Sequence, residues 1–209
     1  MHRLSALAAA TALLLTAACS SRTVDLAAAD TRAVNRAASL DADAGALTVD
    51  GRAGDGLVVL EDRDFATGTI ELEIKGANAP GRSFVGLAFN VRNDSTYEAI
   101  YFRPFNFGSD DAGRRSHSVQ YVSHPAHPWN VLRTESEGVY EAAFPRRPDA
   151  DEYFPVRIVL TDDTAAVYDA TTGAELLSVE RLAEQRDDTI ALWVGNNSRG
   201  AFRNLRLRK

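Results

Sequence analysis

The feature that most constrains the fold of this chain is a two-residue alternation of apolar and polar side chains in many short segments. In 69–75, the apolar residues Ile70, Leu72 and Ile74 alternate with polar ones. Successive side chains of a strand point to opposite faces, so this pattern indicates a strand with one buried and one solvated face. Similar segments, separated by Gly, Asp, Asn and Pro, continue from Ala38 to the C-terminus. They predict about a dozen antiparallel strands and almost no helix, which means a two-sheet sandwich or a closed barrel.

The predicted strands follow the segments that carry this alternation. They are 46–49, 57–60, 69–75, 84–91, 97–102, 118–123, 139–143, 154–161, 164–169, 175–179, 189–194 and 202–208. Asp162-Asp163 predicts a tight hairpin and Thr172-Gly173 predicts the next turn, while Asn204 marks a kink or bulge in the last strand. Only 182–186 is predicted as a helical turn.

The first residues have the layout of a secretory signal. His2 and Arg3 are followed by an apolar run over 4–15 and by small residues directly before Cys19. The run is too short for a permanent membrane helix. A lone cysteine at this place resembles the lipobox of bacterial lipoproteins, in which the thiol receives a diacylglyceryl group before cleavage. The alternative is an ordinary signal peptide whose cleavage site lies near a cysteine.

These features predict three segments. Residues 1–18 form a lipoprotein signal peptide, 19–37 form a tether that is partly helical, and 38–209 form one β-sandwich domain. The membrane is then a partner through a lipid anchor at Cys19, and the protein lies in the cell envelope. Ser20 beside the cysteine fits delivery to an outer membrane, facing the periplasm or the cell surface.

Composition excludes several kinds of function. Cys19 is the only cysteine, so no thiol remains for disulfides, catalysis or a cysteine-ligated metal once it is lipidated. The formal net charge is −6 and the charges are evenly mixed, so no basic stripe for nucleic acid is expected.

One stretch of the chain concentrates aromatic and planar polar side chains. If Ile100 and Phe102 enter the core, strand alternation puts Tyr101 and Arg103 on the open face of their sheet, where Gln120 of the next strand can be a neighbour. Sugars offer hydroxyls to planar donors and acceptors, and C–H faces to aromatic rings. The predicted carbohydrate-binding residues are Tyr101, Arg103, Asn106, His117, Gln120, His124, Trp129 and Arg133.

Catalytic acids are harder to assign. Glycoside hydrolysis usually needs two carboxyl groups flanking the scissile bond. Glu98 and Glu135 are the candidates near the cluster, but no E-x-D-x-x-E spacing is present, and the parity of Glu98 turns it away from the proposed face. The sequence therefore leaves open whether the protein is an enzyme.

No metal or other cofactor is predicted. The spacing of His117, His124 and His127 is not that of a zinc site. Calcium stays open, because acidic side chains that could supply oxygen ligands occur at Asp62, Asp64, Asp110 and Asp111.

Several blocks carry a resemblance to a known group of proteins. They are 84–89 (Phe-Val-Gly-Leu-Ala-Phe), 101–107 (Tyr-Phe-Arg-Pro-Phe-Asn-Phe), 119–125, 192–196 and 202–205. The chain from about Leu40 onward resembles the concanavalin A-like lectin/glucanase superfamily, and more narrowly the exported bacterial proteins near the 3-keto-disaccharide hydrolase domains. The resemblance implies a jelly roll of two antiparallel sheets with the ligand on the concave sheet.

Three functions follow as hypotheses. The first is a membrane-anchored, extracytoplasmic, lectin-like domain that binds an oligo- or polysaccharide. The second is a hydrolase acting on a glycoside or a 3-keto-disaccharide. The third is an envelope scaffold that contacts another protein through the same face. The fold hosts both binders and enzymes, so the residues of the site must decide between them.

Overall fold

The computed structural model describes residues 21–209, and within them the chain forms short strands joined by turns and three short helices. In chain order the strands are β1 (Ser21–Thr23), β2 (Thr31–Val34), β3 (Ala38–Asp41), β4 (Ala46–Val49), β5 (Gly56–Asp64), β6 (Gly68–Lys75), β7 (Val85–Asn93), β8 (Thr96–Phe102), β9 (Val119–His124), β10 (Glu141–Ala142), β11 (Phe154–Leu160), β12 (Thr164–Asp169), β13 (Glu175–Glu180), β14 (Thr189–Val194) and β15 (Gly200–Arg208). The helices are α1 (Pro104–Phe107), α2 (Ala112–Ser116) and α3 (Trp129–Glu135).

The strands of the described region form two antiparallel sheets. Sheet A has the order β13-β12-β11-β6-β15-β4-β3, with β1 also paired to β15. Sheet B has the order β10-β9-β8-β7-β14-β5-β2. Neighbours far apart in the chain pair in both sheets, and the predicted two-sheet sandwich is confirmed.

The core lies between the two sheets and follows the predicted alternation. Ile70, Leu72 and Ile74 of β6 are buried, as are Ile100 and Phe102 of β8. Aromatic rings join the layers: the ring centroids of Phe102 in sheet B and Phe154 in sheet A are 5.2 Å apart. Burial of these apolar surfaces contributes most of the stability of a chain without disulfides in its described part.

Turns and irregularities also agree with the sequence. Thr161 donates its backbone N–H to the carbonyl of Thr164 across Asp162-Asp163, which closes the predicted hairpin. Asn204 has a φ of 54°, and the pairing of β15 with β6 shifts register beside it. The predicted bulge is therefore present.

The prediction for the segment before residue 38 needs correction. It was expected to be a tether, but β1 pairs with β15 in sheet A and β2 pairs with β5 in sheet B. Val24 and Leu26 are buried in the core. Strand β2 is mostly exposed and too short to show alternation, so its residues carry little signal for a strand. The predicted signal peptide and Cys19 lie outside the described residues.

Helical structure also differs from expectation. Residues 182–186 are irregular, whereas α1 and α2 connect β8 to β9 and α3 follows β9. Pro104 begins α1, where its fixed φ suits a helix start, and the Asp111 carboxylate accepts hydrogen bonds from the first N–H groups of α2. Among residues 21–209, no helix has the length and apolar character needed to span a membrane.

Candidate functional site

The outer face of sheet B carries a group of aromatic side chains. In β8 Tyr101 points away from the core, and its strand partners are Gln120 of β9 and Gly86 of β7. Gly86 is also the partner of Trp193 of β14, so the two aromatic side chains lie on the same face. Their ring centroids are 4.8 Å apart, across a glycine whose missing side chain leaves room for them.

Loops and short helices rise around this face and form a cleft of about 570 Å³. A cleft of this size suits a small ligand. Its lining comprises Asp55, Gly81, Phe84, Tyr101, Arg103, Phe105, Asn106, Arg114, His117, Val122, His124, Pro128, Trp129, Arg133, Trp193, Gly195 and Asn196. Seven of the eight predicted binding residues are in this set, and the eighth, Gln120, lies beneath them.

Arg103 forms the floor of the cleft. Its Nη2 donates to the Tyr101 hydroxyl at 2.7 Å and to Gln120 Oε1 at 3.2 Å, and its Nη1 donates to the carbonyl of His117 at 2.8 Å. The expected proximity of Arg103 and Gln120 is therefore present. Burial lowers the pKa of Arg103 from its usual value, and burial also raises the pKa of Tyr101 to about 12.

The same residues are more buried than an open strand face implies. Tyr101 is 3% exposed, Arg103 6% and Gln120 1%. The amide nitrogen of Gln120 donates to the carbonyls of Tyr121 and Tyr140, so both ends of the side chain have partners within the protein. Gln120 therefore holds Arg103 in place and is itself out of a ligand's reach, whereas Tyr101 and Arg103 line the cleft.

Aromatic rings form one wall of the cleft. Phe84 and Phe105 meet edge to face, with ring centroids 5.6 Å apart, and Phe84 lies 6.1 Å from Tyr101. Trp129, the first residue of α3, is 46% exposed. The Arg133 guanidinium lies 5.0 Å from the centre of its ring, one helical turn further on. These rings offer faces and edges to a ligand with C–H groups.

Polar groups next to α3 are held by one buried carboxylate. Glu141 of β10 accepts from Arg133 Nη2 at 2.6 Å and Nε at 3.1 Å, and its Oε2 lies 2.8 Å from His117 Nδ1. Asn106 donates to the carbonyl of His117 at 3.3 Å. Glu141 thus fixes the orientation of two predicted binding residues.

The other end of the cleft is acidic. The hydroxyl of Tyr97 donates to Asp55 Oδ2 at 3.2 Å and accepts from Trp193 Nε1 at 3.1 Å. His124 Nε2 lies 3.9 Å from the same carboxylate oxygen. Burial lowers the pKa of His124, and the negative charge of Asp55 opposes that shift.

Neither of the proposed catalytic acids reaches the cleft. Glu98 is fully buried between the sheets, where it pairs with Arg181 at 2.7 Å and also accepts hydrogen bonds from Asn90 and Tyr121. Its carboxylate is therefore on the wrong side of sheet B, as its parity predicted. Glu135 ends α3 with an exposed side chain that is not part of the lining.

The residues suggested for calcium do not converge. Asp111 caps α2 and Asp62 pairs with Arg63. Within the part of the chain that the structure covers, no three His, Cys, Asp or Glu side chains are placed to hold a metal ion together.

Sequence reasoning missed part of the site. Trp193 could have been found, because Leu192 and Val194 on either side are apolar and the alternation turns Trp193 outward. Phe84 carried the same signal, since it alternates with Val85 and Leu87 in the predicted strand 84–91, whereas Asp55 had none because it lies in a turn between two glycines. Loops carry no periodicity, so only the fold reveals which of their side chains meet.

Comparisons with known proteins bear on the fold. No family profile and no curated protein sequence matches this chain. Among solved structures, a carbohydrate-binding module, CBM66 from Bacillus subtilis, is similar with a TM-score of 0.58 and 14% identity, over 85% of this chain and 94% of that one. The fold is that of the concanavalin A-like jelly rolls.

Two further structures agree with this assignment. The exoplasmic/lumenal domain of VIP36, in its Ca²⁺/Man3GlcNAc-bound form, has a TM-score of 0.55 and 8% identity over 86% of this chain and 84% of that one. A beta-glucanase of Bacillus licheniformis has a TM-score of 0.51 and 13% identity over 90% and 92%. The structural similarity shows the shared jelly roll, and identities this low leave the function to be argued from the site.

Proposed function

We propose that this protein is a lipid-anchored, extracytoplasmic carbohydrate-binding protein whose ligand lies in the cleft on sheet B. The observation that carries the proposal is the placement of aromatic rings and planar hydrogen-bond donors around one cleft. Phe84, Phe105 and Trp129 present apolar surface, while Asn106 and Arg133 present donors within the same space. A pyranose ring matches both features, because its C–H faces pack on aromatic rings and its hydroxyls accept hydrogen bonds from such donors.

The carboxylates favour binding over hydrolysis. The usual glycosidase mechanisms place two carboxyl groups roughly 5 to 10 Å apart across the scissile bond. Asp55 is the one acidic side chain among the described cleft residues. The nearby Glu141 is buried and engaged by Arg133 and His117. The site therefore lacks the pair of available acids that hydrolysis of a glycoside or 3-keto-disaccharide by this route requires.

The similar structures support a saccharide as the ligand class. They include a carbohydrate-binding module, a domain crystallised with Man3GlcNAc and a beta-glucanase. The anchor is supported by the sequence alone, through the apolar segment that ends at Cys19. An acylated cysteine would hold the cleft in the cell envelope, where polysaccharides are abundant partners.

The test is saccharide binding by a matched pair of aromatic variants. Trp129→Ala removes an exposed ring that Arg133 covers, and Tyr168→Ala removes a ring on sheet A that Arg157 covers at 4.6 Å. On a glycan array followed by titration calorimetry, we expect Trp129→Ala to weaken binding by about 5- to 10-fold, because stacking contributes about 1 kcal/mol. Tyr168→Ala should bind like the parent protein.

Other results would replace the proposal. If no saccharide binds while a protein co-purifies from the envelope, the cleft face is a scaffold surface. If saccharides on the same panel are cleaved, the protein is a hydrolase. If both aromatic variants bind like the parent protein, the ligand lies elsewhere on the molecule.

A further inference from the structure

The charges of the cleft are unbalanced. Arginines at positions 103, 114 and 133 line it, together with two histidines, whereas Asp55 is the acidic side chain of the described lining. Asp55 lies at the far end with Tyr97 and His124, and no arginine of residues 21–209 is within ion-pair distance of it. A chain with a formal net charge of −6 thus keeps a basic region in this cleft.

Arg133 is the one cleft arginine whose charge is offset by a direct partner. Its guanidinium contacts both carboxylate oxygens of Glu141. Arg114, on the exposed rim, forms no ion pair with a carboxylate of the described chain, and neither does Arg103. The two remaining charges of the basic region therefore have no carboxylate of residues 21–209 within ion-pair distance.

Arg103 is the more informative of the two because it is buried. Its partners are a phenol, an amide oxygen and a backbone carbonyl, all neutral. A buried ion without an opposite charge is costly, so such groups are normally paired. Its Nε–H has no acceptor within residues 21–209, although the side chain lines the cleft. The guanidinium thus has a donor left for a ligand.

A second buried arginine shows the contrasting case. Arg36 also lacks a carboxylate within ion-pair distance in the described region, but it donates to the carbonyls of Asn35, Gly54 and Gly195. Its Nε also lacks a partner in the described region, but that atom is buried and the side chain is not part of the cleft lining. Arg36 therefore ties three loops together, whereas Arg103 faces space that a ligand can occupy.

We infer that the ligand is an acidic saccharide, a chain of carboxylate-bearing sugars, with one carboxylate beside Arg103 and Arg114 and a sugar ring against Trp129 or Phe105. A guanidinium matches a carboxylate through planar, charge-assisted hydrogen bonds. The inference rests on the proposed function, since it names the class of saccharide that the same cleft takes.

The experiment compares acids with their neutral esters. Oligosaccharides of galacturonate, of mannuronate and of hyaluronan type are titrated into the purified protein, each beside its methyl ester and beside a neutral glucan of equal length. We expect at least one acid to bind about 10-fold or more tightly than its ester at low salt, because hydrogen bonds to a charged group are stronger than those to a neutral one. The difference should shrink in high salt as exposed charges are screened.

A pair of arginine variants locates the carboxylate. Arg114→Gln should weaken binding of the acid about 5-fold and binding of the ester clearly less, because the ester offers this arginine no charge. Arg206→Gln removes an exposed arginine on sheet A, which forms no ion pair with the described residues, and should change neither. If Arg114→Gln binds the acid like the parent protein, this placement of the carboxylate is wrong.

The remaining outcomes separate the two proposals. Equal binding of acid and ester, or tighter binding of the neutral glucan, overturns the acidic ligand and leaves carbohydrate binding in place. Absence of binding to acids, esters and glucans alike overturns carbohydrate binding itself.

Discussion

The buried ion pair between the sheets gives the sharpest test of the energetics. Arg181 donates to Glu98 through Nη2 at 2.7 Å and Nε at 3.1 Å, and to the carbonyl of Thr161 through Nη1 at 2.9 Å. Both side chains of the pair are almost completely buried, at 1% and 0% exposure. The substitution Arg181→Met removes the cation but keeps apolar atoms against the ring of Phe89, which the guanidinium now covers at 5.3 Å.

The expected loss follows from what Glu98 retains. Two unit charges about 4 Å apart attract by about 4 kcal/mol at an effective dielectric constant of about 20. In the variant the carboxylate still accepts from Asn90 and Tyr121, so part of its solvation by the protein remains. Breaking buried pairs in this way typically costs about 3–5 kcal/mol. We expect the free energy of unfolding to fall by about 3–4 kcal/mol.

Urea unfolding, followed by tryptophan fluorescence, measures this loss. The control is Arg203→Met, which breaks a pair with Glu73 of the same 2.7 Å length whose side chains are about one-third exposed. Exposed pairs contribute about 0–1 kcal/mol, so the control should be near neutral with an unchanged m-value. Equal losses in the two variants would refute the argument that burial, rather than the contact itself, sets the cost.

Three further predictions concern other parts of the chain. Gly86→Ala should lower the free energy of unfolding in urea by about 1–3 kcal/mol, because a Cβ there would lie 2.2 Å from a backbone oxygen of β8. In Gly108→Ala the added Cβ meets no atom within 4 Å, so this control should be neutral. Similar losses in the two variants would contradict the argument. Because the pKa of His124 is lowered, its stabilising contribution is present above about pH 6.5 and is lost as the pH falls below that value. The melting temperature should therefore drop between pH 7.5 and 5.5, by less in His124→Gln and by as much as in the parent protein in His127→Gln. An unchanged drop in His124→Gln would count against this role of His124. Cys19→Ala should abolish incorporation of labelled palmitate into the protein in a bacterial host, and label that persists would exclude this lipidation site.

The fold was predictable wherever one face of a strand is buried. Strand β6 has buried Ile70, Leu72 and Ile74 against half-buried polar neighbours, and its predicted and observed bounds differ by one residue. Strand β2 is exposed along most of its length, so its pairing with β5 depends on backbone hydrogen bonds that leave no pattern in the side chains. The helices α1, α2 and α3 have four to seven residues, too few for a helical period to appear.

The site was predictable where it is built on strands. Parity alone placed Tyr101 and Arg103 on one face and Glu98 on the other. The register of β8 with β9 puts Tyr101 opposite Gln120 and Glu98 opposite Ser123, and Arg103, just beyond β8, bonds to Tyr101 and Gln120. It did not predict how deeply the loops would cover Arg103, nor that Asp55 would approach His124 from a turn more than sixty residues earlier in the chain. Those contacts depend on how separate loops meet, which single-strand periodicity does not encode.

The distribution of buried charge connects the fold to the ligand. Three buried acids have arginine partners: Glu98 with Arg181, Glu141 with Arg133, and Asp169 with Arg146. Two buried arginines of residues 21–209 have no carboxylate partner: Arg36 bonds three backbone carbonyls away from the cleft, and Arg103 lines the cleft. The unpaired charge of Arg103 therefore has a reason that Arg36 does not share. In the cleft the reason is that a carboxylate supplied by the protein would occupy the ligand's place. A carboxylate introduced beside Arg103 should stabilise the protein and abolish ligand binding. A binding site therefore keeps this guanidinium unpaired at a cost in stability.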